Sequence, residues 1–440
     1  MKTHLVPVYL PGRDQDFDNQ VEILKNLLGD VAEFREPAAL GAPLPDADAV
    51  VFPQMLGEAY RMAGQFKAID LPILIITSEF GTMAMWDWEI ASYLRAEGIE
   101  VITPYSLDQT RKLCRALGVR HELRTSKFLV FQDNPGEGFQ ASIFKRFYWW
   151  EDECTQRMFD KFGITIHKKS FRELGRRAME IPDGEAEAAW EAWRSRLKIG
   201  DIPRRALNSA LKIYLAVKQE LDQDETIKGV GINCLNESHF SDTTPCLAWN
   251  MLYEERRLIW GCEADTVSML TKHILNRSLA VPIIMTNLYP FLMGQAALKH
   301  ERIEGFPDVP EPENHILVAH CGYLGVLPQS FATEWTLRRK VLAIVNDNAT
   351  AIDARLPFGA ITLAKLDPTF ERITVVEGSL EGYAQYPGSD CLNGAVLKIP
   401  NGRSLMARAS SHHYLLMTGH QLADIDLIGK VFGLRIESID

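Results

Sequence analysis

Short apolar runs alternate with helical patterns from the N-terminus to about residue 300. One such series fills residues 1–125, and a second series begins near residue 128. The apolar runs lie at residues 6–10, 49–52, 73–76, 101–102, 128–131, 227–235, 258–262 and 281–285. Strands that alternate with helices are typical of parallel sheets covered by helices on both faces. We therefore predict two doubly wound, Rossmann-like α/β domains, at residues 1–125 and 126–308.

The pattern changes after the proline-rich segment at residues 307–312. Short β-like runs then follow one another, separated by Gly, Pro, Asn and Asp residues that favour turns. These runs lie at residues 316–319, 360–363, 373–377, 394–399 and 414–417, and a helical pattern covers residues 422–432. The sequence predicts a third domain at residues 309–440 that is β-rich and barrel-like.

Composition narrows the range of partners. The chain of 440 residues has a net charge of -11 and no block rich in Lys and Arg, which argues against nucleic acid or an anionic membrane as the main partner. A small neutral or polar molecule fits better. No apolar run approaches the roughly 20 residues of a membrane helix, and the N-terminus lacks the features of a secretory signal, so we expect a cytoplasmic protein.

The seven cysteines form no C-x-x-C pair, which favours reduced, buried thiols over disulfides or structural zinc.

Side chains that commonly bind metals lie at the ends of several predicted strands. They are Glu237 after the run 227–235, Asp265 after 258–262, His320 after 316–319, and His412 and His413 before 414–417. In open α/β sheets, ligands bind at the carboxyl ends of the strands. Two carboxylates and an imidazole would suit Mn²⁺ or Mg²⁺ better than structural zinc.

Each of these residues also has a purely structural interpretation. Glu237 fits a loop carboxylate, Asp265 fits a helix N-cap, and a single histidine at a strand end is commonly structural. Glu263 precedes Asp265 by two residues, so in an extended segment the two carboxylates would face the same side. One of them would then bind a metal while the other supports it.

Three segments resemble the fucose/arabinose isomerase superfamily, most closely its fucose isomerase-like branch. They are C-E-A-D-T-V-S-M-L-T at residues 262–271, H-C-G at 320–322 and S-H-H-Y-L-L-M-T-G-H-Q-L at 411–422. The similarity is clearest from residue 227 to the C-terminus, and the predicted order of three domains agrees over the whole length. Two features depart from the family pattern: T-G-H at 418–420, where members often have Gly-Asp, and M-W-D-W-E at 85–89.

The resemblance implies a manganese-dependent aldose–ketose isomerase, with Mg²⁺ or Co²⁺ as alternative ions, that acts through a cis-enediol on a pentose or on a deoxy or modified hexose. It implies that Glu237 and Asp265 are catalytic carboxylates and, with His413, the metal ligands; His412 is the alternative to its neighbour His413. His320 matches a histidine that contacts the substrate or supports the ligands. We further expect substrate contacts from His412, Glu263 and Trp88, since sugars often pack against aromatic rings. A homo-oligomer, trimeric or hexameric, is expected. Two other functions stay open: a catalytically degenerate sugar-binding or regulatory member of the superfamily, and a metal-dependent sugar epimerase.

Overall fold

The fold is taken from a computed structural model, which describes residues 2–134, 142–143, 145, 151–298, 308–320, 323–340, 342, 345–385 and 393–440. The chain divides into two compact units. The first comprises Met1–Arg124, Arg277–Ala280 and Ala423–Arg435, and the second comprises Thr125–Asn276, Val281–Leu422 and Ile436–Asp440. The division into three domains therefore stays a prediction. None of the helices within the described residues is both long and apolar enough to span a membrane.

The first unit is built around a parallel sheet flanked by helices. Its strands are β1 (Thr3–Tyr9), β2 (Ala32–Phe34), β3 (Ala38–Ala39), β4 (Ala49–Phe52), β5 (Ile73–Ile75) and β6 (Val101–Ile102). Their order is β2-β1-β4-β5-β6, with β3 also paired to β1, and the pairs are parallel. The helices are α1 (Gln15–Leu28), α2 (Ala63–Lys67), α3 (Trp88–Ala96) and α4 (Leu107–Leu123). The predicted alternation of strands and helices is confirmed here.

A second parallel sheet lies in the other unit and carries part of the candidate site. Its strands are β7 (Lys127–Phe131), β8 (Thr165–Lys169), β9 (Ile227–Ile232) and β10 (Ile259–Cys262), in the order β10-β9-β7-β8. The helices are α5 (Asp152–Phe162), α6 (Phe171–Glu180), α7 (Asp183–Trp193), α8 (Arg204–Gln223), α9 (Cys246–Arg256) and α10 (Thr266–Leu279). A Cβ atom on Gly261 would overlap the Met269 side chain, so the glycine lets α10 pack close against β10.

The rest of the second unit contains a closed barrel of six strands. Its remaining elements are β11 (Ile283–Pro290), β12 (His315–Ala319), β13 (Glu334–Arg339), β14 (Thr350–Arg355), β15 (Gly359–Leu366), β16 (Arg372–Ala384), β17 (Gly394–Lys398), α11 (Gly402–Arg408), β18 (His413–Thr418) and β19 (Arg435–Ser438). Helix α12 (Leu422–Phe432) follows β18 in the chain, and all of it except Leu422 belongs to the first unit. Around the barrel the order is β15-β18-β11-β12-β17-β16, and β16 pairs with β15 to close it. All six contacts are antiparallel. Strand β19 extends the sheet beside β16, and β13 pairs with β14 alone.

The barrel confirms the prediction of a C-terminal β-barrel, with one correction to its extent. The apolar run at residues 281–285 is predicted to be a strand of the central parallel sheet. In the structure this run begins β11, which pairs with β12 and β18 in the barrel. The barrel therefore begins before the proline-rich segment. The prediction is wrong at this strand because an apolar run has the same appearance in a parallel sheet and in a closed barrel.

Short 3-10 helices complete the described structure. They cover Ala59–Met62, Met85–Asp87, Ser238–Phe240, Phe291–Leu298, Pro312–Asn314 and Gln329–Phe331. The segment Ser238–Phe240 follows Glu237 directly, after the end of β9. It places Glu237 in the connection between β9 and α9.

Candidate metal centre

Three buried side chains converge in the second unit: Glu263, His320 and His413. The ligand atoms that they offer all lie within 4.8 Å of one another. Oε1 of Glu263 is 3.9 Å from Nδ1 of His320 and 3.9 Å from Nε2 of His413. Within the part of the chain that the structure describes, this is the one group of three or more such residues that could hold a metal ion.

The register of the barrel brings the two histidines together. His413 begins β18 and pairs with Asn287 of β11, while Ala319 of β12 pairs with the same asparagine from the other side. His320 follows Ala319 directly, so both histidines lie at the same level on either side of β11. Their ring centroids are 5.5 Å apart. The site therefore depends on the hydrogen-bonded ladder of the barrel.

Glu263 reaches the histidines from an unusual turn between β10 and α10. Glu263 and Ala264 both have positive φ, at 54° and 57°, and the Asp265 N–H donates to the Cys262 carbonyl. Left-handed backbone costs a residue other than glycine roughly 1–2 kcal/mol, and strain of this kind is found mainly where the surroundings hold it in place, often at functional sites. The segment is thus a tight turn, and the expectation of an extended segment is wrong.

This turn places the carboxylates of Glu263 and Asp265 at opposite edges of the His413 imidazole ring. Glu263 is near Nε2 of His413, whereas Asp265 Oδ2 lies 2.9 Å from Nδ1. An ionised carboxylate only accepts hydrogen bonds, so Nδ1 carries the proton and the Nε2 lone pair is left toward Glu263. Nε2 of His413 is buried and has no hydrogen-bond partner among the described residues. A histidine oriented in this way by a carboxylate is a common arrangement of metal ligands, and a metal ion fits the unpaired nitrogen.

Asp265 is the N-cap of α10 and is fully engaged by its neighbours. Its Oδ1 accepts from the Ser268 N–H at 2.8 Å. Its Oδ2 accepts from the Ser268 hydroxyl at 2.7 Å and from Lys365 Nζ at 3.1 Å, in addition to His413. The structural interpretation of Asp265 as an N-cap is therefore confirmed. In this arrangement Asp265 supports His413 and is not in the group of three.

The protonation states suit a cation at the centre. Burial alone would raise the pKa of Asp265, but Lys365, His413 and Ser268 together lower it well below its ordinary value. Burial raises the pKa of Glu263, and His413 opposes that change. Burial also lowers the pKa of His320 to about 3, with contributions from His413 and Lys272. His320 is thus neutral at pH 7, which is the form that binds metals.

Glu237 also lies in the second unit, and its carboxylate is bound by backbone N–H groups. Its carboxylate accepts the backbone N–H of Asp133 at 3.0 Å and also that of Asn134. Burial raises the pKa of Glu237, and the two N–H groups oppose the shift. Because β9 and β10 are parallel neighbours, Glu237 and Glu263 follow the same edge of the sheet. Glu237 is nevertheless absent from the converging group found among the described residues.

Two further predicted substrate contacts, His412 and Trp88, are exposed. The His412 ring lies 4.1 Å from the ring of His413, between centroids, and only His413 of this pair joins the group of three. Trp88 begins α3 in the first unit, with 60 % of its surface exposed. Both substrate roles stay predictions.

Lys365 and Ser268 are the parts of the site that the sequence did not indicate. Ser268 lies three residues after the N-cap, where a capping partner is expected. Lys365 is the single charge in the apolar strand β15 and is completely buried. A lone charge inside an apolar run was the available signal, since lysine is almost never fully buried unless it is paired.

Comparison with known proteins adds no identification. No protein-family model matches the chain, and no curated protein matches it.

Proposed function

We propose that the protein is a divalent-metal-dependent aldose–ketose isomerase and that Glu263, His320 and His413 hold the ion. One observation carries the proposal: a buried carboxylate and two imidazoles converge, and His413 directs an otherwise unpaired Nε2 toward them while Asp265 holds its other nitrogen. The resemblance to fucose isomerase-like proteins, carried by the C-E-A-D, H-C-G and late His-His segments, supports a sugar as the substrate.

The ligand set narrows the choice of ion. Two imidazoles and one carboxylate suit Mn²⁺, Fe²⁺, Co²⁺ or Zn²⁺ better than Mg²⁺, which prefers oxygen ligands. Three protein ligands leave coordination positions for oxygen atoms of a substrate. Since the resemblance implies manganese, we expect Mn²⁺ as the working ion, with Co²⁺ as an effective substitute and Mg²⁺ as a poor one.

Isomerisation moves a proton between C1 and C2 through a cis-enediol, so a weakly acidic C–H next to a carbonyl must lose its proton. A bound divalent cation supplies positive charge near the carbonyl oxygen and makes that C–H more acidic. Glu237 is our candidate for the proton transfer, because it follows β9 at the same edge of the sheet as Glu263 and because burial raises the pKa of its carboxyl. His412, exposed beside His413, is our candidate for a hydrogen bond to a sugar hydroxyl.

Asp265 has a supporting role in this scheme. Its hydrogen bonds with Ser268 and Lys365 fix its carboxylate, and the carboxylate in turn fixes the His413 ring. The pentose or modified hexose, the oligomeric state and the contribution of Trp88 remain predictions from the resemblance.

The test compares His413 with His315, which begin the two strands on either side of β11. Chelator-stripped wild type, His413→Gln and the control His315→Gln are supplied with Mn²⁺, Co²⁺ or Mg²⁺ and a panel of aldoses that includes fucose, arabinose and modified hexoses. His315 begins β12 and is buried, but it contacts Glu311 and Glu381 instead of the site. We expect ketose formation to require the ion. It should be lost in His413→Gln and persist in His315→Gln.

Three other outcomes would contradict the proposal. A protein that binds Mn²⁺ but forms no ketose from any aldose would be a sugar-binding protein or would catalyse another carbonyl reaction. An epimer of the supplied sugar, detected by chromatography, would identify an epimerase. A wild-type protein that binds no divalent ion would remove the basis of the proposal.

A further inference from the structure

The second parallel sheet has one point where the chain reverses its direction across the sheet. In the order β10-β9-β7-β8, the connection after β7 leads to β8 on one side. The connection after β8 then returns past β7 to β9 on the other side. In open α/β sheets, ligands bind in the crevice that such a reversal opens beyond the carboxyl ends of the strands. The fold itself therefore favours a ligand between the ends of β7 and β9.

Gln132 is the first residue after β7 and lies at this crevice. The register of β7 and β9 places it beside Asn233, whose N–H donates to the Phe131 carbonyl at 3.0 Å. The next nitrogen in the chain, that of Asp133, is 3.0 Å from both carboxylate oxygens of Glu237. A backbone nitrogen is about 2.4 Å from the preceding Cα, so Cα of Gln132 is no more than about 5.4 Å from that carboxylate.

The side-chain amide of Gln132 is buried without a partner. The residue is 1 % exposed, and neither Oε1 nor Nε2 has a hydrogen-bond partner among the described residues. Burial of an unpaired amide is unfavourable, and buried polar groups in native proteins are almost always paired. The amide therefore indicates a partner that binds at this point of the crevice.

We infer that Gln132 is a substrate-binding residue whose amide binds two adjacent hydroxyl groups of the aldose. This inference rests on the proposed function, because it presupposes that a sugar binds between Glu237 and the metal centre. A primary amide carries an acceptor oxygen and a donor nitrogen side by side. It can accept a hydrogen bond from one hydroxyl and donate one to the next.

The position of Gln132 indicates which hydroxyls these are. The backbones of β7 and β10 are separated by β9, which makes them roughly 10 Å apart. A sugar whose reacting carbons lie at the ion beside Glu263 would therefore meet Gln132 with hydroxyls at C3 or beyond. An analogue that lacks one of these hydroxyls would leave the buried amide unpaired again, and it should bind poorly. Gln132 thus determines which sugars bind and takes no part in the proton transfer.

The experiment measures the binding of sugar alcohols, which cannot isomerise, to the full-length protein in Mn²⁺. Calorimetry gives dissociation constants for the alditols of the aldose panel, including fucitol and arabinitol. It is repeated with derivatives of the best alditol that lack the hydroxyl at C3, C4 or C5. Gln132→Met keeps the length of the side chain without its polar atoms. We expect it to bind the alditol about 10- to 100-fold more weakly and to lose the discrimination that wild type shows against a deoxy derivative.

Thermal stability separates this role from a structural one. Because the amide has no partner in the free protein, Gln132→Met should melt in chelator at the wild-type temperature or above it. The control is Gln109→Met in the first unit. Gln109 is also buried, but its amide accepts from the Tyr105 N–H and donates to Asp424. Its loss should lower the melting temperature and leave alditol binding unchanged.

Failure of the inference differs from failure of the proposed function. If wild type binds no Mn²⁺, or binds Mn²⁺ but none of the alditols, the proposed function fails. If wild type binds an alditol and Gln132→Met binds it equally well, the inference is overturned while the proposed function stands. A melting temperature below that of wild type would show a structural partner, such as a buried water, and would also overturn it. Gln132→Leu carries the same test if the methionine variant does not fold.

Discussion

Substitution of Asp265 should lower the unfolding free energy of the metal-free protein. Two contributions can be separated: the ion pair with Lys365 and the N-cap of α10. Asp265→Asn keeps an oxygen that accepts from the Ser268 N–H but removes the charge that faces Lys365. Breaking a buried ion pair by removing one partner costs about 3–5 kcal/mol. Asp265→Ala also removes the helix N-cap, which contributes about 1 kcal/mol. The expected losses in unfolding free energy are about 3–5 kcal/mol for Asn and about 4–6 kcal/mol for Ala.

The assay is urea unfolding in excess chelator, followed by circular dichroism and tryptophan fluorescence, so that metal binding does not contribute to stability. The reference is Asp265→Asn combined with Lys365→Met, which leaves neither charge unpaired and should lie within about 1–2 kcal/mol of wild type. The reasoning would be refuted if Asp265→Ala lost less than about 1 kcal/mol, or if the double variant were less stable than either single variant.

Four further predictions concern single side chains. Burial raises the pKa of Glu263 above its ordinary value of 4.5, so the stability contributed by the neutral carboxyl is complete below pH 4.5 and is lost as the pH rises through the raised pKa. At pH 7 in chelator, Glu263→Gln should therefore melt at a higher temperature than wild type while binding no Mn²⁺, and a lower melting temperature would contradict this reasoning. Glu237→Gln should keep its Mn²⁺ content in elemental analysis but lose isomerisation, whereas loss of the ion would restore Glu237 as a ligand. His412→Ala should retain Mn²⁺ and raise KM for the sugar, and an unchanged KM would end its substrate role. Trp88→Ala should keep the melting temperature within a degree or two, since the side chain is exposed; unchanged turnover and KM would remove Trp88 from the substrate contacts.

The fold was predictable to the extent that it depends on periodic patterns. Runs such as residues 49–52 and 227–232, which alternate with helices, indicate parallel strands. In the structure the first run pairs in parallel with β1 and the second with β7. Turn residues between short runs indicate the barrel. The pattern failed at β11, whose apolar residues would suit either sheet, because its partners lie more than 25 residues away in sequence. Long-range pairing is set by the whole fold and leaves no trace in a short window.

The site was predictable in its residues more than in their roles. The spacing of Glu263 and Asp265 indicates one ligand and one supporting group without deciding which is which. The resemblance assigns the metal to Asp265, while the structure groups Glu263 with the histidines. Two left-handed residues in succession make the difference, and neither is a glycine that would have signalled the turn. Lys365 lies 100 residues from Asp265 in sequence, so their pairing could not be inferred from spacing.

The position of β11 between the two histidine strands makes the centre adaptable as well as rigid. Adjacent strands are held about 4.8 Å apart by their backbone hydrogen bonds, so the distance between the positions of His320 and His413 is independent of which side chains occupy them. Donor atoms can therefore be exchanged, for instance an imidazole for a carboxylate, without redesign of the backbone. In a barrel closed by hydrogen bonds around its whole circumference, a different pair of donor atoms at these two positions requires a change of residue type alone.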